Sequence, residues 1–186
     1  MEIRAALLAE MDDLHEIDGT IESTHYLHVE QAGDGPTLSW RLEERRMRST
    51  RTISNPIDEE NRFFLRQLLT GAEEGIALAI VRQNLPVALL LAREAHDRRT
   101  LCLTDLRVES EYRRQGFATA LLLMLIGEAR SRQLRAVSAE TRADNAPMYR
   151  LLPRCGFELA GLDTRRHTNH DLVKESATLF WYAALD

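Results

Sequence analysis

Only two cysteines, Cys102 and Cys155, occur in the 186 residues, too few for a disulfide framework and in keeping with a reducing compartment. No apolar run is long enough to cross a bilayer: the strongest, Leu121–Ile126, is confined between Thr119 and Glu128. No membrane partner is expected. The opening Met1-Glu2-Ile3-Arg4 lacks an apolar signal stretch with a cleavage site, so the expected location is cytoplasmic. Low-complexity tracts and repeats are also missing. Positive charge falls short of negative, giving a formal charge of −5 that argues against nucleic acid and is compatible with a cationic substrate. What remains is ordinary: 44% apolar and 28% charged residues, in a length that suits a single domain over residues 1–186.

Periodicity divides the chain into short elements. Ile3–Ala6 reads as a strand, and Leu7–Ile17 carries apolar residues at helical spacing before Asp18-Gly19 ends it. Tyr26–Gln31 and Leu38–Leu42 read as strands joined by the turn Gly33-Asp34-Gly35-Pro36. Ser49–Pro56 is polar and loop-like, and Asp58–Leu69 is a helix with an acidic first turn and Gly71 just past its end. Ile76–Arg82 and Val87–Glu94 form a hairpin across Gln83-Asn84-Leu85-Pro86, and His96–Arg99 turns into the strand at Leu101. Thereafter strand and helix alternate: helix Phe117–Gln133, strand Ala136–Glu140, helix Ala146–Arg154, strand Phe157–Leu162, a loop over Asp163–Glu175, and strand Ala177–Ala183. Antiparallel strands first and strand–helix alternation later specify an α/β (α+β) fold with a mixed sheet.

The stretch with most chemical content is Arg113-Arg114-Gln115-Gly116-Phe117-Ala118, between the alternating run Leu101–Val108 and the Leu-rich run Thr119–Ile126. A strand, a basic glycine-bearing turn and a helix start together make a device for holding phosphate. The first N–H groups of a helix lack internal partners, and the helix dipole adds partial positive charge there. Gly116 and small Ala118 let backbone approach a ligand, and Arg113 and Arg114 add mobile positive charge.

The pattern Arg-x-x-Gly-x-Ala after Leu-x-Val resembles the acetyl-CoA motif of the Gcn5-related N-acetyltransferases. Asn145-Ala146-Pro147-Met148-Tyr149-Arg150-Leu151-Leu152-Pro153-Arg154-Cys155-Gly156-Phe157 resembles that family's second motif, in the expected order. Ile17-Asp18 with Tyr26, Glu140-Thr141, and Leu179-Phe180-Trp181-Tyr182 resemble its streptothricin acetyltransferase branch. The resemblance is strong from Leu101 onward and looser before it. It implies a mixed, mostly antiparallel central sheet flanked by helices, with splayed central strands. It implies acetyl-CoA as co-substrate, with Arg113, Arg114, Gln115, Gly116, Phe117, Ala118 and Thr119 around the pyrophosphate. The backbone at Leu106, Arg107 and Val108 would hold the pantetheine arm, and Asn145 would touch it. Asn is also a favoured helix cap, and both roles are compatible.

The catalytic groups are less settled. Family members usually place a Tyr four residues before the Gly of the Gly-Phe pair, where it protonates the departing thiolate; that position is Leu152 here. Tyr149 lies about one turn earlier on the same helix, where it serves as acid or packs into the core. Pro153 is unusual inside a helix and is expected to bend its last turn. Glu140 is the first candidate for the base and Asp105 the second. Each is equally an anchor for an ammonium group, and a structural ion pair or cap stays open for both. Asp18 and Tyr26 are substrate contacts by resemblance, with turn and core roles as alternatives. No metal is expected: His25-x-x-His28 and His167-x-x-His170 lack further ligands at zinc-like spacing.

The residues together read as an acetyl-CoA-dependent N-acetyltransferase in which a primary amine attacks the thioester directly within a ternary complex. The expected acceptor is a small cationic amine, with streptothricin-type antibiotics, and hence antibiotic resistance, implied by the resemblance. A peptide or protein amine is the competing acceptor, and an acyl-CoA-binding sensor that has lost turnover at Leu152 is the non-enzymatic alternative. The family often dimerises, which keeps a homodimer among the expected assemblies.

Overall fold

The run Val87–Ala92 has no charged side chain and is buried along its whole length, which a strand tolerates only when both of its faces are covered. That requirement organises the fold. The computed structural model describes residues 2–185; Met1 and Asp186, the ends of the expected domain, lie outside them. In chain order the elements are β1 (Glu2–Ala5), α1 (Met11–Glu16), β2 (Ile21–Ala32), β3 (Ser39–Ile53), α2 (Glu59–Thr70), β4 (Gly75–Arg82) and β5 (Leu85–Ala95). There follow β6 (Thr100–Val108), α3 (Phe117–Ser131), β7 (Ala136–Arg142), α4 (Ala146–Arg154), β8 (Glu158–Asp163) and β9 (Thr178–Ala184).

Seven strands hydrogen-bond in the order β1-β4-β5-β6-β7-β9-β8, and β2 and β3 form a separate antiparallel ribbon. β1, β4, β5 and β6 pair antiparallel and β6 with β7 parallel. The expected mixed, mostly antiparallel sheet flanked by helices is what the chain forms. The contacts of the described residues divide it into two compact units, one of residues 2–20, 54–139 and 182–185, the other of residues 21–53 and 140–181.

In the first unit, Leu89 and Leu91 of β5 join Leu14 of α1 and Phe64 and Leu65 of α2 in one apolar cluster. Alternation sends Ala88, Leu90 and Ala92 to the opposite face. There α3 packs across β4, β5 and β6 through its buried Leu121, Leu122 and Leu125. Asp58 caps α2 by accepting the Asn61 N–H at 2.7 Å, and Gly71 ends it in the left-handed conformation. In the second unit α4 packs on β2, and the Ser23 hydroxyl accepts the Ala146 N–H at 3.0 Å.

Several boundaries differ from the sequence expectation. Leu7–Ile17 opens as a single tight turn at Leu8–Glu10 before α1, with Glu10 accepting the Leu7 N–H and paired with Arg4. Ser49–Ile53, expected in a loop, completes β3. The β4–β5 turn contracts to Gln83-Asn84, whose φ values of +49° and +65° match a two-residue hairpin turn. Pro86 therefore lies inside β5, beside a register shift that accommodates its missing N–H. Pro153 stays within the last turn of α4, where Gly156, at φ +88°, reverses the chain toward β8.

Candidate active site

Two irregularities coincide on β6. The parallel ladder with β7 runs from Thr100↔Ala136 to Leu103↔Ala139 and ends there, although β6 continues to Val108. At the same point the register with β5 slips, leaving Thr104 as an extra residue whose hydroxyl donates to the Leu91 carbonyl at 3.2 Å. A bulge bends its strand and increases the local twist. Beyond Leu103, β6 keeps β5 as a neighbour on one side and no residue pairing with β7 on the other, among the described residues. Main-chain groups on that freed side need partners from elsewhere.

The strand leads into the basic turn. Arg114 has φ +60° and Gly116 φ +85°, and nothing lies within 4 Å of where a Cβ on Gly116 would sit. The Ala120 N–H donates to the Gly116 carbonyl at 2.9 Å, but no protein acceptor meets the N–H groups of Gly116, Phe117, Ala118 or Thr119 among the described residues. Phe117 is buried, stacks on Tyr112 with ring centroids 5.9 Å apart, and lies under the Arg82 guanidinium. Its anchoring fixes the start of α3, so the open N–H groups are held in place. The Gln115 side chain donates to the Glu111 carbonyl at 2.9 Å.

The two arginines part company. Arg114 is exposed and has no ion-pair partner among the described residues. Arg113, expected to be mobile, is tied down: its Nε donates to the Val108 carbonyl at 2.9 Å and its guanidinium to Asp18 Oδ2 at 2.9 Å. Asp18 also accepts the Thr20 N–H at 2.8 Å, and that bond, ahead of Arg113, holds its carboxyl below the usual range. Asp18 thus sits in a turn that fastens the end of β6. Gly19 beside it packs on the Asn55 carbonyl so closely that a Cβ would collide.

Asp105 and Arg107 point inward. Arg107 donates from Nε and a terminal nitrogen to Asp105 Oδ2 at 2.9 and 2.7 Å, and it also reaches the carbonyls of Ile17 and Asn55. Burial pushes the Asp105 carboxyl up, against the pull of the guanidinium. Leu106, between them, faces the other side of the strand and is only half-buried, although its side chain was expected in the core.

In the second unit, Asn145 caps α4, accepting the Met148 N–H at 3.3 Å. Tyr149 is buried and its hydroxyl donates to Glu44 Oε1 at 2.9 Å, an oxygen that also accepts from Arg150 Nε at 2.7 Å. Burial, then the Glu44 carboxylate, pushes the phenol well above its ordinary value. Leu152 is fully buried and offers no proton. Glu140 is exposed and pairs with Arg166 at 3.1 Å. Tyr26 faces an open hollow of about 540 Å³ on the ribbon.

Comparison with known proteins settles the family. The sequence profile described as "Acetyltransferase (GNAT) family" matches residues 39–157. The chain belongs to the GNAT acetyltransferase family. It is 32% identical over 75 residues to a streptothricin acetyltransferase from Escherichia coli, a match covering 40% of this chain and 43% of that protein. Solved structures share the fold along the whole length. A nourseothricin acetyltransferase superposes with a TM-score of 0.79 at 21% identity, covering 100% of this chain and 98% of the other. A Bacillus anthracis structure, of a proposed streptothricin acetyltransferase in complex with acetyl coenzyme A, gives 0.75 at 15% identity and 99% coverage of both chains. The ribosomal-protein-S18-alanine N-acetyltransferase from Escherichia coli gives 0.65 at 15% identity, covering 100% and 95%.

Sequence reasoning passed over two features of this GNAT chain. Asp144 is completely buried and joins Arg51 at 2.7 Å with Arg142 at 2.7 and 2.9 Å. The Arg-Ala-Asp spacing carried that signal, because such a pair one residue apart bonds readily on leaving a strand. The bulge at Thr104 left no mark, since Thr is common throughout strands. Glu74, Glu94 and His96 bring ligand atoms within 4.8 Å of one another, but Glu94 is already held by Arg132 at 2.8 Å.

Proposed function

We propose that this GNAT protein transfers the acetyl group of acetyl-CoA to the primary amine of a small cationic acceptor, of which streptothricin-like compounds are the leading class. The observation that carries the co-substrate is the set of unclaimed N–H groups from Gly116 to Thr119, preceded by a left-handed Gly116 and flanked by free Arg114. Fixed N–H dipoles at a helix start favour a pyrophosphate without needing to reorganise. The freed side of β6 after Leu103 supports placement of the amide-bearing pantetheine arm. The acceptor class rests on similarity to the streptothricin and nourseothricin acetyltransferases.

In the reaction the neutral amine attacks the thioester carbon, a C–N bond forms, the C–S bond breaks, and the thiolate takes up a proton. Glu140, exposed and paired with Arg166, is the proposed proton acceptor or ammonium anchor. Tyr149 is a poor acid while its proton is committed to Glu44, so solvent is the proposed proton source for the thiolate.

The second reading is an acyl-CoA-binding protein without turnover, favoured by Leu152 and by the engagement of Tyr149. Free-thiol release from acetyl-CoA, measured across small polyamines, streptothricin-type antibiotics and amine-bearing peptides, separates the two. Release that depends on a polyamine or antibiotic is the expected result. Release with peptides alone moves the acceptor to protein amines, and binding without release from any acceptor supports the second reading.

A further inference from the structure

We propose that the β2–β3 ribbon carries a binding site for a small oxyanion, a phosphate or carboxylate group, in the hollow beside Tyr26. The pairing of the ribbon is interrupted there: Ser23 faces Arg51, yet His25 faces Arg46, so the four residues Met47–Thr50 of β3 stand opposite Thr24 alone. So large a bulge lifts β3 away from its partner and makes a concavity on an otherwise narrow ribbon. The hollow of about 540 Å³ is lined by Tyr26, by Arg46 to Arg51 and by Glu175.

Its lining is one-sided in chemistry. Arg46 and Arg48 are exposed and have no ion-pair partner among the described residues. Arg51 is the third cation, shared with buried Asp144 at 2.7 Å. Ser49 and Thr50 add hydroxyl donors between the arginines. The single carboxylate, Glu175, is already occupied by His28 Nδ1 at 2.9 and 3.1 Å. A surface offering several cationic donors and no free carboxylate matches a ligand group made of acceptors, and guanidinium forks match planar or tetrahedral oxyanions. The charge distribution agrees: the second unit holds equal numbers of basic and acidic residues, so the chain's excess of negative charge lies in the first unit and does not oppose an anion here.

The site is independent of the acetyl-transfer reading, and the test keeps the two apart. The full chain is titrated calorimetrically with inorganic phosphate and, separately, with citrate, as wild type, as Arg46→Gln/Arg48→Gln and as Arg114→Gln. The ribbon variant is expected to weaken one or both anions by about tenfold or more, the loss of a charge-assisted hydrogen bond. Its acetyl-CoA affinity and circular dichroism should stay unchanged, while Arg114→Gln leaves the ribbon's anion in place. A greater loss for phosphate assigns a phosphate ligand, and a greater loss for citrate a carboxylate. Equal affinity in the wild type and the ribbon variant overturns the proposal, as does no binding of either anion at about 10 mM, where a millimolar site is filled. Loss of acetyl-CoA binding in the wild type strikes only the acetyl-transfer reading.

Discussion

Asp105 and Arg107 occupy alternate positions on β6 and so share a face, which the sequence alone indicates. What it hides is the direction of that face, because polar residue types are ordinarily read as facing solvent. Three-centre support from Asp105, Ile17 and Asn55 makes burial of the guanidinium tolerable. A buried pair adds little net stability but is costly to break on one side only. Arg107→Met should therefore destabilise the protein by about 3–5 kcal/mol in urea unfolding at neutral pH. Adding Asp105→Leu should recover most of that loss. The pH dependence has a definite sign. Burial already raises the Asp105 carboxyl, and without Arg107 it rises further. The folded variant then binds a proton more readily than the unfolded chain, so its deficit shrinks as pH falls through the folded value. A deficit independent of pH, or a double variant no better than the single one, contradicts this account.

At the scale of elements, legibility tracked apolar periodicity. Helix α4 was readable to the residue because Asn145, the first-turn proline and Gly156 mark both ends. The ribbon extends beyond what periodicity indicates because β3 from Glu43 onward is mostly charged and conceals its alternation. The segment after β8 was opaque for another reason: it is organised by one polar side chain. Asp171 is buried and accepts the His167 N–H at 2.8 Å, the Thr168 N–H at 3.0 Å and the Thr168 hydroxyl at 2.7 Å. These bonds, that from His167 foremost, hold its carboxyl at about 2 against an ordinary 3.8. A depressed carboxylate contributes stability that is complete above the unfolded value and disappears as pH falls through the folded one. Amide exchange at His167, Thr168 and Ser176 should thus be slow at neutral pH and accelerate between about pH 4 and pH 2, after correction for intrinsic rates. Asp171→Asn should exchange fast at every pH. Protection in that variant equal to the wild type at neutral pH means the carboxylate does not organise the loop.

For the molecule as a whole, the order of strands and helices was legible because most elements other than the β2–β3 ribbon are patterned and bounded by turn residues. The cradle at the start of α3 was legible as a motif, whereas the commitment of Arg113 was not: Asp18 lies 95 residues away in sequence, and the nearby Val108 offers only a backbone carbonyl, which no residue type reveals. The cradle's value can be tested on the global unfolding transition. Any ligand that binds only the folded chain stabilises it, and at about 100 times its Kd the gain is about 2.7 kcal/mol. For a chain of this size that corresponds to a rise in Tm of roughly 5–10 °C. Acetyl-CoA should produce this shift. Acetyl-pantetheine, which keeps the thioester and arm but lacks the pyrophosphate, should produce far less at the same concentration. Gly116→Ala sharpens the comparison, since open space around the missing Cβ removes steric collision and leaves backbone strain at φ +85°. That strain costs about 1–2 kcal/mol, lowering Tm without ligand by a few degrees. It also rotates the N–H groups that follow, so the shift with acetyl-CoA should shrink in this variant at equal ligand concentration. An undiminished shift in Gly116→Ala, or equal shifts from acetyl-CoA and acetyl-pantetheine, would mean that the α3 turn does not hold the pyrophosphate.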